Sequence, residues 1–314
     1  MENMLISVVL PTFNGEEFIK ESIESILNQS YKNLELIIIN DCSSDSTPEI
    51  IEKYAKLDSR VKIINNKTNQ KLPKSLNIGF QAASGEFLTW SSDDNYYHKD
   101  ALEKMVEYLG KNPKKALVCA DYEVIEINGK IAKECVSGEV GELLERNCIN
   151  CCFLYRACVA SEVGGYNEAE FKVEDYDFWL RFGLVGKIGC INEVLYTYRK
   201  HNSSLSATQK WGEIYTKTEN LLIKYLPLYL EKYPALKLGL GSRLRILLLK
   251  NDFKGILELF KDSSRDLRRK IYVFLKDRYL NLGDKNCVQI ICSFGLKYRI
   301  KIYLVWLKNR WNLK

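Results

Sequence analysis

Two adjacent carboxylates, Asp93 and Asp94, follow an apolar run in the stretch GEFLTWSSDDN, residues 85–95. Two like charges about 4 Å apart repel by roughly 1 kcal/mol in water, and by more where the effective dielectric constant is lower. A site that keeps both acids ionised therefore favours a bound cation, and oxygen ligands of this kind suit Mg²⁺ or Mn²⁺. The alternative is a solvated turn, in which acids are common.

The elements that position these acids can be read from the hydrophobic pattern. Four short apolar runs are typical of strands buried on both faces of a parallel sheet: 5–10, 34–39, 61–64 and 87–90. Three segments between them have apolar residues at helical spacing or a helix-start signal: 18–27, 48–57 and 72–83. Thr47 before Pro48 predicts an N-cap followed by a first-turn proline. The alternation predicts an α/β fold with an open, mostly parallel sheet and right-handed crossovers.

Ligands of such sheets lie beyond the carboxyl ends of the strands, near the point where the strand order reverses. Three polar segments follow predicted strands and should meet at that edge: 11–14, 40–45 and 91–95. Neither a G-x-G-x-x-G nor a G-x-x-x-x-G-K-[ST] motif occurs in these turns. The sequence therefore predicts a site that does not hold phosphates on glycine loops alone.

Length and composition indicate two unequal globular domains in 314 residues, with 46% hydrophobic and 27% charged residues. We expect the α/β domain to occupy residues 1–207 and a helical domain to occupy 208–314. The net charge of +6 is modest, and no basic block with interleaved aromatic residues predicts nucleic-acid binding. The amino terminus lacks a basic region before its apolar run, so we expect a cytoplasmic protein without a signal peptide.

The carboxyl terminus is basic and amphipathic, because no acid follows Asp284 while lysines and arginines alternate with apolar residues. Its longest apolar run, IYLVWL at 302–307, is far shorter than the roughly 20 residues that span a bilayer. The pattern predicts either peripheral docking on the inner face of a membrane or a packed terminal helix with a solvated basic face.

The sequence contains ten cysteines, four of which form a group: Cys148, Cys151, Cys152 and Cys158. The group has a C-x-x-C spacing but no second such pair and no nearby histidine. We interpret these residues as small, buried, reduced side chains, with a metal site as the alternative.

Six motifs, in register over residues 5 to 206, resemble glycosyltransferase family 2, whose members have the GT-A fold: VVLPTFNGEEFIKESIESILNQSY, ELIIINDCSSDST, NIGFQAASGEFLTWSSDDN, VGGYNE, EDYDFWLRF and YRKHNSSLS. The resemblance implies an inverting enzyme that transfers a sugar from a nucleotide-diphosphate donor, UDP-linked, to a hydroxyl of a saccharide or lipid-linked acceptor. It also implies a context in surface polysaccharide or cell-envelope glycan assembly.

The resemblance also implies a set of donor-binding residues, which are Pro11, Thr12, Phe13, Asn14, Glu16, Asp41, Lys71, Lys74 and Asp93. Phe13 would lie near the donor base and Asp41 would accept from a uracil-type edge, although a core phenylalanine and a turn aspartate remain alternatives. One of the two lysines would approach the diphosphate, unless both are simply solvated.

The metal ligands implied by the resemblance are Asp94, Asp93 and His201, with Mn²⁺ or Mg²⁺ as the ion. Ser91 departs from the family pattern, because many relatives have a further aspartate there, and this favours a water-rich metal shell. His201 could equally be an ordinary surface or core residue.

Asp175 matches the family's general base, which would deprotonate the acceptor hydroxyl; its alternative is a helix cap. The pair Gly164 and Gly165 would bring backbone close to the acceptor or adopt a positive φ, or else form a simple turn.

Two other functions stay open: a nucleotidyltransferase, disfavoured because PTFNGEE is not a basic glycine-rich loop, and a non-catalytic sugar-nucleotide-binding protein.

Overall fold

The computed structural model describes residues 4–205, 207, 211–294, 298 and 301. The chain forms two compact units, residues 1–209 and 210–314. No helix among the described residues is long and apolar enough to cross a membrane. The apolar run 302–307, and with it most of the predicted basic tail, lies outside the described residues.

The first unit contains one mixed sheet, which has nine strands among the described residues: β1 (Ile6–Thr12), β2 (Leu34–Asn40), β3 (Val61–Asn65), β4 (Phe87–Trp90), β5 (Tyr96–Tyr97), β6 (Lys115–Glu126), β7 (Ile131–Cys135), β8 (Phe153–Arg156) and β9 (Lys187–Lys200). The strand order is β3-β2-β1-β4-β8-β6-β9-β5, and β7 pairs with β6. The predicted α/β class and open sheet are therefore confirmed.

The first four strands are parallel, as the sequence predicts, and their order reverses between β1 and β4. Thr12 pairs with Asn40, and Asn40 pairs with Asn65, so the ends of β1, β2 and β3 are level. The end of β4 lies on the other side of β1, where Trp90 pairs with Val9. The polar segments after β1, β2 and β4 consequently meet at one edge of the sheet.

The second half of the sheet differs from a purely parallel arrangement. β8 runs antiparallel to both β4 and β6, and β5 runs antiparallel to β9. β6 and β9 are parallel to each other and form the longest pairing in the sheet. This half supports the segment 91–95, because β9 carries its carboxyl-terminal residues back to that loop.

Six α-helices belong to the first unit among the described residues: α1 (Ile19–Leu27), α2 (Thr47–Leu57), α3 (Leu72–Ala82), α4 (Ala101–Lys111), α5 (Ala157–Val163) and α6 (Glu174–Val185). The first three correspond to the segments predicted from sequence. In α1 the side chains of Ile19, Ile23 and Ile26 are fully buried in the core. In α3, a Cβ atom on Gly79 would lie 2.4 Å from Val9, so only glycine allows this helix to lie so close to β1.

The predicted start of α2 is wrong by one residue. Ser46 is the N-cap and makes no side-chain capping bond, while Thr47 is the first helical residue. The Thr47 hydroxyl instead accepts from the backbone N–H of Gly15 at 2.9 Å. A residue predicted as a local cap thus anchors the loop after β1.

The second unit is helical, as predicted, with five helices among its described residues: α7 (Trp211–Lys232), α8 (Leu240–Leu249), α9 (Phe253–Lys261), α10 (Arg265–Leu282) and α11 (Lys285–Ser293). The chain turns between α8 and α9, because Asn251 adopts φ 53° and Asp252 caps α9 by accepting from the Gly255 N–H at 2.8 Å. A buried ion network joins Glu219 to Arg245 and Arg278.

All ten cysteines are free thiols. Cys148 and Cys152 are fully buried, and Cys151 is half-buried. The prediction of burial is wrong for Cys158, which is exposed on α5. Across the parts of the chain that the structure describes, no group of three or more His, Cys, Asp or Glu side chains is arranged to hold a metal.

Candidate donor-binding site

A cavity of about 420 Å³ opens at the sheet edge where the ends of β1, β2 and β4 meet. Its volume falls in the range of small-molecule sites, about 300 to 1,000 Å³. Nine of the predicted site residues line it: Pro11, Thr12, Phe13, Asn14, Asp41, Lys71, Asp93, Asp94 and His201. Three others, Glu16, Lys74 and Asp175, are not among the lining residues.

The Asp93 carboxylate is held against the end of β1. Thr12 Oγ1 donates to Asp93 Oδ2, and the backbone N–H of Phe13 donates to the same carboxylate. A Cβ atom on Gly15 would lie 2.3 Å from Asp93 Oδ2. Burial and the neighbouring Asp94 charge nevertheless raise the pKa of Asp93 to about 7.

The Asp94 carboxylate has one paired and one unpaired oxygen. Asp94 Oδ2 lies 2.9 Å from His201 Nε2, whereas Oδ1 is buried and has no hydrogen-bond partner. Burial raises the pKa of Asp94, although His201 and Arg199 oppose the shift. A buried carboxylate oxygen without a donor is costly, so this atom is suited to a cation or a ligand donor.

Arg199, at the end of β9, fixes the loop that carries the two acids. Its backbone N–H donates to Asn95 Oδ1 at 2.7 Å, and its Nε donates to the Asp94 carbonyl at 3.2 Å. Its guanidinium pairs with Glu21 on α1 and lies 4.7 Å from the ring centre of Phe18. The position of Asp94 is therefore set jointly by α1 and β9.

His201 lies two residues beyond Arg199 and is only 9% exposed. Its Nδ1 lies 2.8 Å from Ser203 Oγ, and its ring packs 5.0 Å from the ring centre of Phe18. Both ring nitrogens are thus engaged, one of them with Asp94. The structure brings His201 and the acidic pair together at one wall of the cavity.

Ser91, the departure from the family pattern, is buried rather than directed to the cavity. Its hydroxyl lies 2.8 Å from the hydroxyl of Tyr196 on β9. The neighbouring Ser92 lines the cavity instead. The acidic segment therefore presents Asp93 and Asp94, but not residue 91, to a bound molecule.

Asp41 is buried at the end of β2 and organises the loop before α3. Asp41 Oδ1 accepts from Asn66 Nδ2 at 2.8 Å and from the Gln70 N–H at 2.7 Å. Asp41 Oδ2 accepts from the Lys71 N–H at 2.9 Å. Since a carboxylate oxygen has two acceptor sites, Oδ2 retains capacity for one further donor.

The two predicted lysines occupy different places. Lys71 lines the cavity and adopts φ 70°, a conformation that the bond from its N–H to Asp41 helps to hold. Lys74 is exposed on α3 and does not line the cavity. Of the two, Lys71 is the one whose residue lines the cavity.

The loop after β1 is pinned to the loop after β2 by reciprocal bonds. Glu16 Oε2 accepts from the Ser46 N–H at 2.9 Å, and the Glu16 N–H donates to Asp45 Oδ2 at 3.1 Å. Asn14 Oδ1 accepts from the Ser44 N–H at 2.8 Å. These contacts leave the Phe13 ring 50% exposed at the cavity.

Asp175 lies in the first turn of α6, outside the cavity lining. Its Oδ2 accepts from Asn147 Nδ2 at 2.8 Å, and its Oδ1 accepts from the Tyr176 N–H at 2.7 Å. Burial raises the pKa of Asp175, as suits a carboxylate that takes up a proton. Phe171, four residues earlier on the same segment, does line the cavity.

The two glycines before this segment have different roles. Gly164 ends α5 with φ 82°, and a Cβ atom on Gly165 would lie 2.7 Å from Asn77 Oδ1. Arg181 on α6 donates to the Gly165 carbonyl at 2.9 Å. The predicted positive φ therefore occurs at Gly164, whereas Gly165 approaches Asn77; the predicted approach of backbone to an acceptor stays a prediction.

Several residues that shape the site are absent from the sequence-based prediction: Gly15, Asn66, Asn77, Asn147 and Arg181. Each acts by contacting a predicted residue or its loop. The NGE turn after the first strand is a signal that could have identified Gly15. The others join segments distant in sequence and carry no local signal.

Comparison with known proteins places this geometry in a family. A model described as glycosyl transferase family 2 matches residues 7–135. The Bacillus subtilis protein EpsE, named as a glycosyltransferase, is 34% identical over 206 residues, which cover 63% of this chain and 74% of EpsE. An uncharacterised glycosyltransferase of Haemophilus influenzae is 29% identical over 320 residues, covering 96% of this chain and 94% of that protein.

Solved structures show the same fold. S. aureus TarS 1–349 in complex with UDP-GlcNAc gives a TM-score of 0.61 at 17% identity, over 90% of this chain and 89% of that chain. The mannosyltransferase PcManGT from Pyrobaculum calidifontis, in complex with GDP-Man and Mn²⁺, gives a TM-score of 0.53 at 14% identity. The match covers 99% of this chain and 88% of that chain. The fold is that of the GT-A glycosyltransferases. The chain belongs to glycosyltransferase family 2.

Proposed function

We propose that this protein is an inverting glycosyltransferase that takes its sugar from a UDP-linked donor. The single observation that carries the proposal is the cavity in which Phe13, Asp41 and the pair Asp93–Asp94 face one space at the sheet edge. An exposed aromatic face and a carboxylate oxygen with one free acceptor site suit a pyrimidine that offers an N–H. TarS, which has the same fold, binds UDP-GlcNAc.

The buried acidic pair also suits a divalent cation, Mn²⁺ or Mg²⁺, although the described side chains form no ready group of three ligands, so that other ligands must come from the bound donor and water. Asp94 Oδ1 is buried without a partner, and burial raises the pKa of both acids. Asp94 and Asp93 would hold the ion with His201 beside them, and the remaining ligands would come from diphosphate and water. When bound, the ion neutralises charge that develops on the leaving diphosphate.

The acceptor would be a hydroxyl of a saccharide or a lipid-linked saccharide in surface polysaccharide or cell-envelope glycan assembly. Asp175 would accept the proton of that hydroxyl as it attacks the anomeric carbon on the face opposite the leaving group. Asn147 holds one oxygen of Asp175, and burial keeps its pKa above the ordinary value, which favours proton uptake. Lys71 would contact the diphosphate, and residues 1–207 would carry the whole catalytic domain.

Nucleotide selectivity tests this proposal. UDP with Mn²⁺ should raise the melting temperature of the full-length protein, because it binds the folded state alone, while ADP with Mn²⁺ should not. A panel of UDP-sugars should then reveal donor hydrolysis without an acceptor. Equal shifts from UDP and ADP would refute the pyrimidine assignment.

A further inference from the structure

A pair of thiols lies on the neighbouring strands β6 and β9, and neither thiol is among the residues that line the cavity. Cys119 on β6 and Cys190 on β9 are direct partners in the parallel register, and their Sγ atoms lie 3.4 Å apart. Cys119 is fully buried, whereas Cys190 is half-buried. Cys190 is therefore the more exposed member of the pair.

The surroundings divide the two thiols into different roles. The contact between the two sulfur atoms lowers the pKa of Cys190 despite burial, and the same contact together with burial raises the pKa of Cys119. The Ser137 side chain hydrogen-bonds the pair and lowers both values, while the nearby Glu139 charge opposes thiolate formation at Cys190. Cys190 is the more exposed thiol and is therefore the one that a solute meets first.

We propose that Cys119 and Cys190 form a reversible disulfide and that this strand pair is a redox modification site for peroxides. The Cys190 thiolate attacks one oxygen of hydrogen peroxide, the O–O bond breaks, and the leaving hydroxide takes a proton to become water. Cys119 then attacks the sulfenic sulfur, an S–S bond forms, and the S–O bond breaks with release of a second water. Two thiols lose two electrons and two protons, and one peroxide becomes two waters.

The strand geometry permits this bond without rearrangement of the sheet. Neighbouring strands lie about 4.8 Å apart, inside the Cα separations of about 4.4 to 6.8 Å that disulfides span. The Sγ–Sγ distance must shorten from 3.4 Å to about 2.05 Å, and rotation of the side chains with a small backbone shift provides this.

Cys148, the third thiol nearby, is fully buried, and burial raises its pKa to about 12. It is therefore a poor competitor for the peroxide.

Peptide mapping of the full-length protein tests the proposal. The protein is treated with hydrogen peroxide, the remaining thiols are blocked with iodoacetamide, and the digest is analysed without reductant. The expected product is a cross-linked peptide pair containing Cys119 and Cys190, lighter than the two peptides by two hydrogens and released by dithiothreitol. Because the wild-type chain is used, folding of a variant is not required.

Two variants sharpen the assignment. Cys190→Ser should abolish the cross-link, whereas Cys158→Ser, which removes an exposed thiol on α5, should leave it at wild-type yield. Accumulation of a sulfinic acid at Cys190 without a cross-link would overturn the proposal. So would a link from either residue to Cys148, or a Cys119–Cys190 link that dithiothreitol does not release.

Discussion

At the scale of single residues, the donor site depends on how closely backbone approaches the Asp93 carboxylate. Gly15 leaves the space that Asp93 Oδ2 and Thr12 Oγ1 occupy, since a Cβ atom there would lie 2.3 Å and 2.7 Å from them. Neither atom is the end of a long flexible side chain. Adding one methyl group would displace the carboxylate or the loop after β1.

Gly15→Ala should therefore weaken Mn²⁺-dependent UDP binding by about tenfold to a hundredfold, as expected for overpacking that costs about 1 to 3 kcal/mol. The measurement is calorimetric titration of UDP in the presence of Mn²⁺. Gly129→Ala, in the β6–β7 turn, is a control without overpacking, because its added Cβ would meet nothing within 4 Å. Its φ of 79° strains any side chain, so this variant should lose some stability but keep wild-type UDP affinity. Wild-type UDP affinity in Gly15→Ala would contradict the account of this contact.

The acids of the cavity could be predicted from sequence, whereas their supports could not. Asp93 and Asp94 follow a recognisable strand, and the rule that parallel strands end at a common edge places them correctly. Arg199 and Glu21 meet across 178 positions of sequence, and Asn147 reaches Asp175 across 28. Such contacts depend on tertiary packing and leave no periodic pattern to read.

At the scale of elements, a buried carboxylate joins the three strands at the amino-terminal side of the sheet. Glu35 on β2 accepts from Ser7 on β1 at 2.5 Å and pairs with Lys62 on β3 at 2.6 Å. Ser84, just before β4, donates to it at 2.8 Å. Burial alone would raise the pKa of Glu35, but these donors outweigh it and lower the pKa from 4.5 to about 2.

A lowered pKa in the folded state stabilises the protein above the unfolded value and loses that contribution as pH falls through the folded value. Glu35→Gln should therefore destabilise the first unit by about 1 to 3 kcal/mol near neutral pH, allowing for the exposure of Lys62. The difference in unfolding free energy between wild type and Glu35→Gln should shrink between pH 4.5 and pH 2, because wild-type Glu35 protonates there. Denaturant unfolding of both proteins across this pH range measures the difference.

Glu52→Gln, an exposed substitution on α2, serves as the control for loss of a single negative charge. If the loss of unfolding free energy in Glu35→Gln stays constant from pH 7 to pH 3, then the ionised state of Glu35 contributes nothing to stability. The predicted pH dependence belongs to Glu35 alone, so Glu52→Gln should match wild type throughout.

Elements were predictable wherever burial on both faces leaves a continuous apolar run. The predicted runs for β1 to β4 agree with the structure to within two residues at each end. β7 gave no such signal, because four of its five residues are exposed. The boundary between α8 and α9 leaves no hydrophobic signal, since apolar spacing continues across the turn at Asn251 and only backbone conformation separates the two helices.

At the scale of the whole molecule, every described residue that lines the cavity belongs to the first unit. That unit has its own core, formed by the sheet and its helices. The second unit has a separate core that includes Leu244, Ile256 and Leu275. Each unit thus has the buried apolar cluster that an independently folding domain needs.

A fragment of residues 1–209 should therefore fold cooperatively and bind UDP with Mn²⁺ as the full-length protein does. Thermal unfolding followed by circular dichroism, together with titration of UDP, checks both parts of this prediction. A fragment of residues 1–185, which lacks β9 and with it Arg199 and His201, is the matched control and should not bind. Failure of the longer fragment to fold would contradict the domain boundary.

Asp94 and Asp175 are proposed to have different tasks, metal binding and proton acceptance. The most direct test measures both UDP affinity and sugar-transfer turnover for Asp94→Asn and for Asp175→Asn. Asp94→Asn should weaken Mn²⁺-dependent UDP binding and sugar transfer together, because it removes a charged ligand. Asp175→Asn should keep UDP and Mn²⁺ affinity, because its side chain lies outside the cavity lining. Transfer by Asp175→Asn should still fall by about 10²- to 10⁴-fold, the effect of losing a general base. Turnover of Asp175→Asn within a few-fold of wild type, with the protein folded, would contradict the central claim.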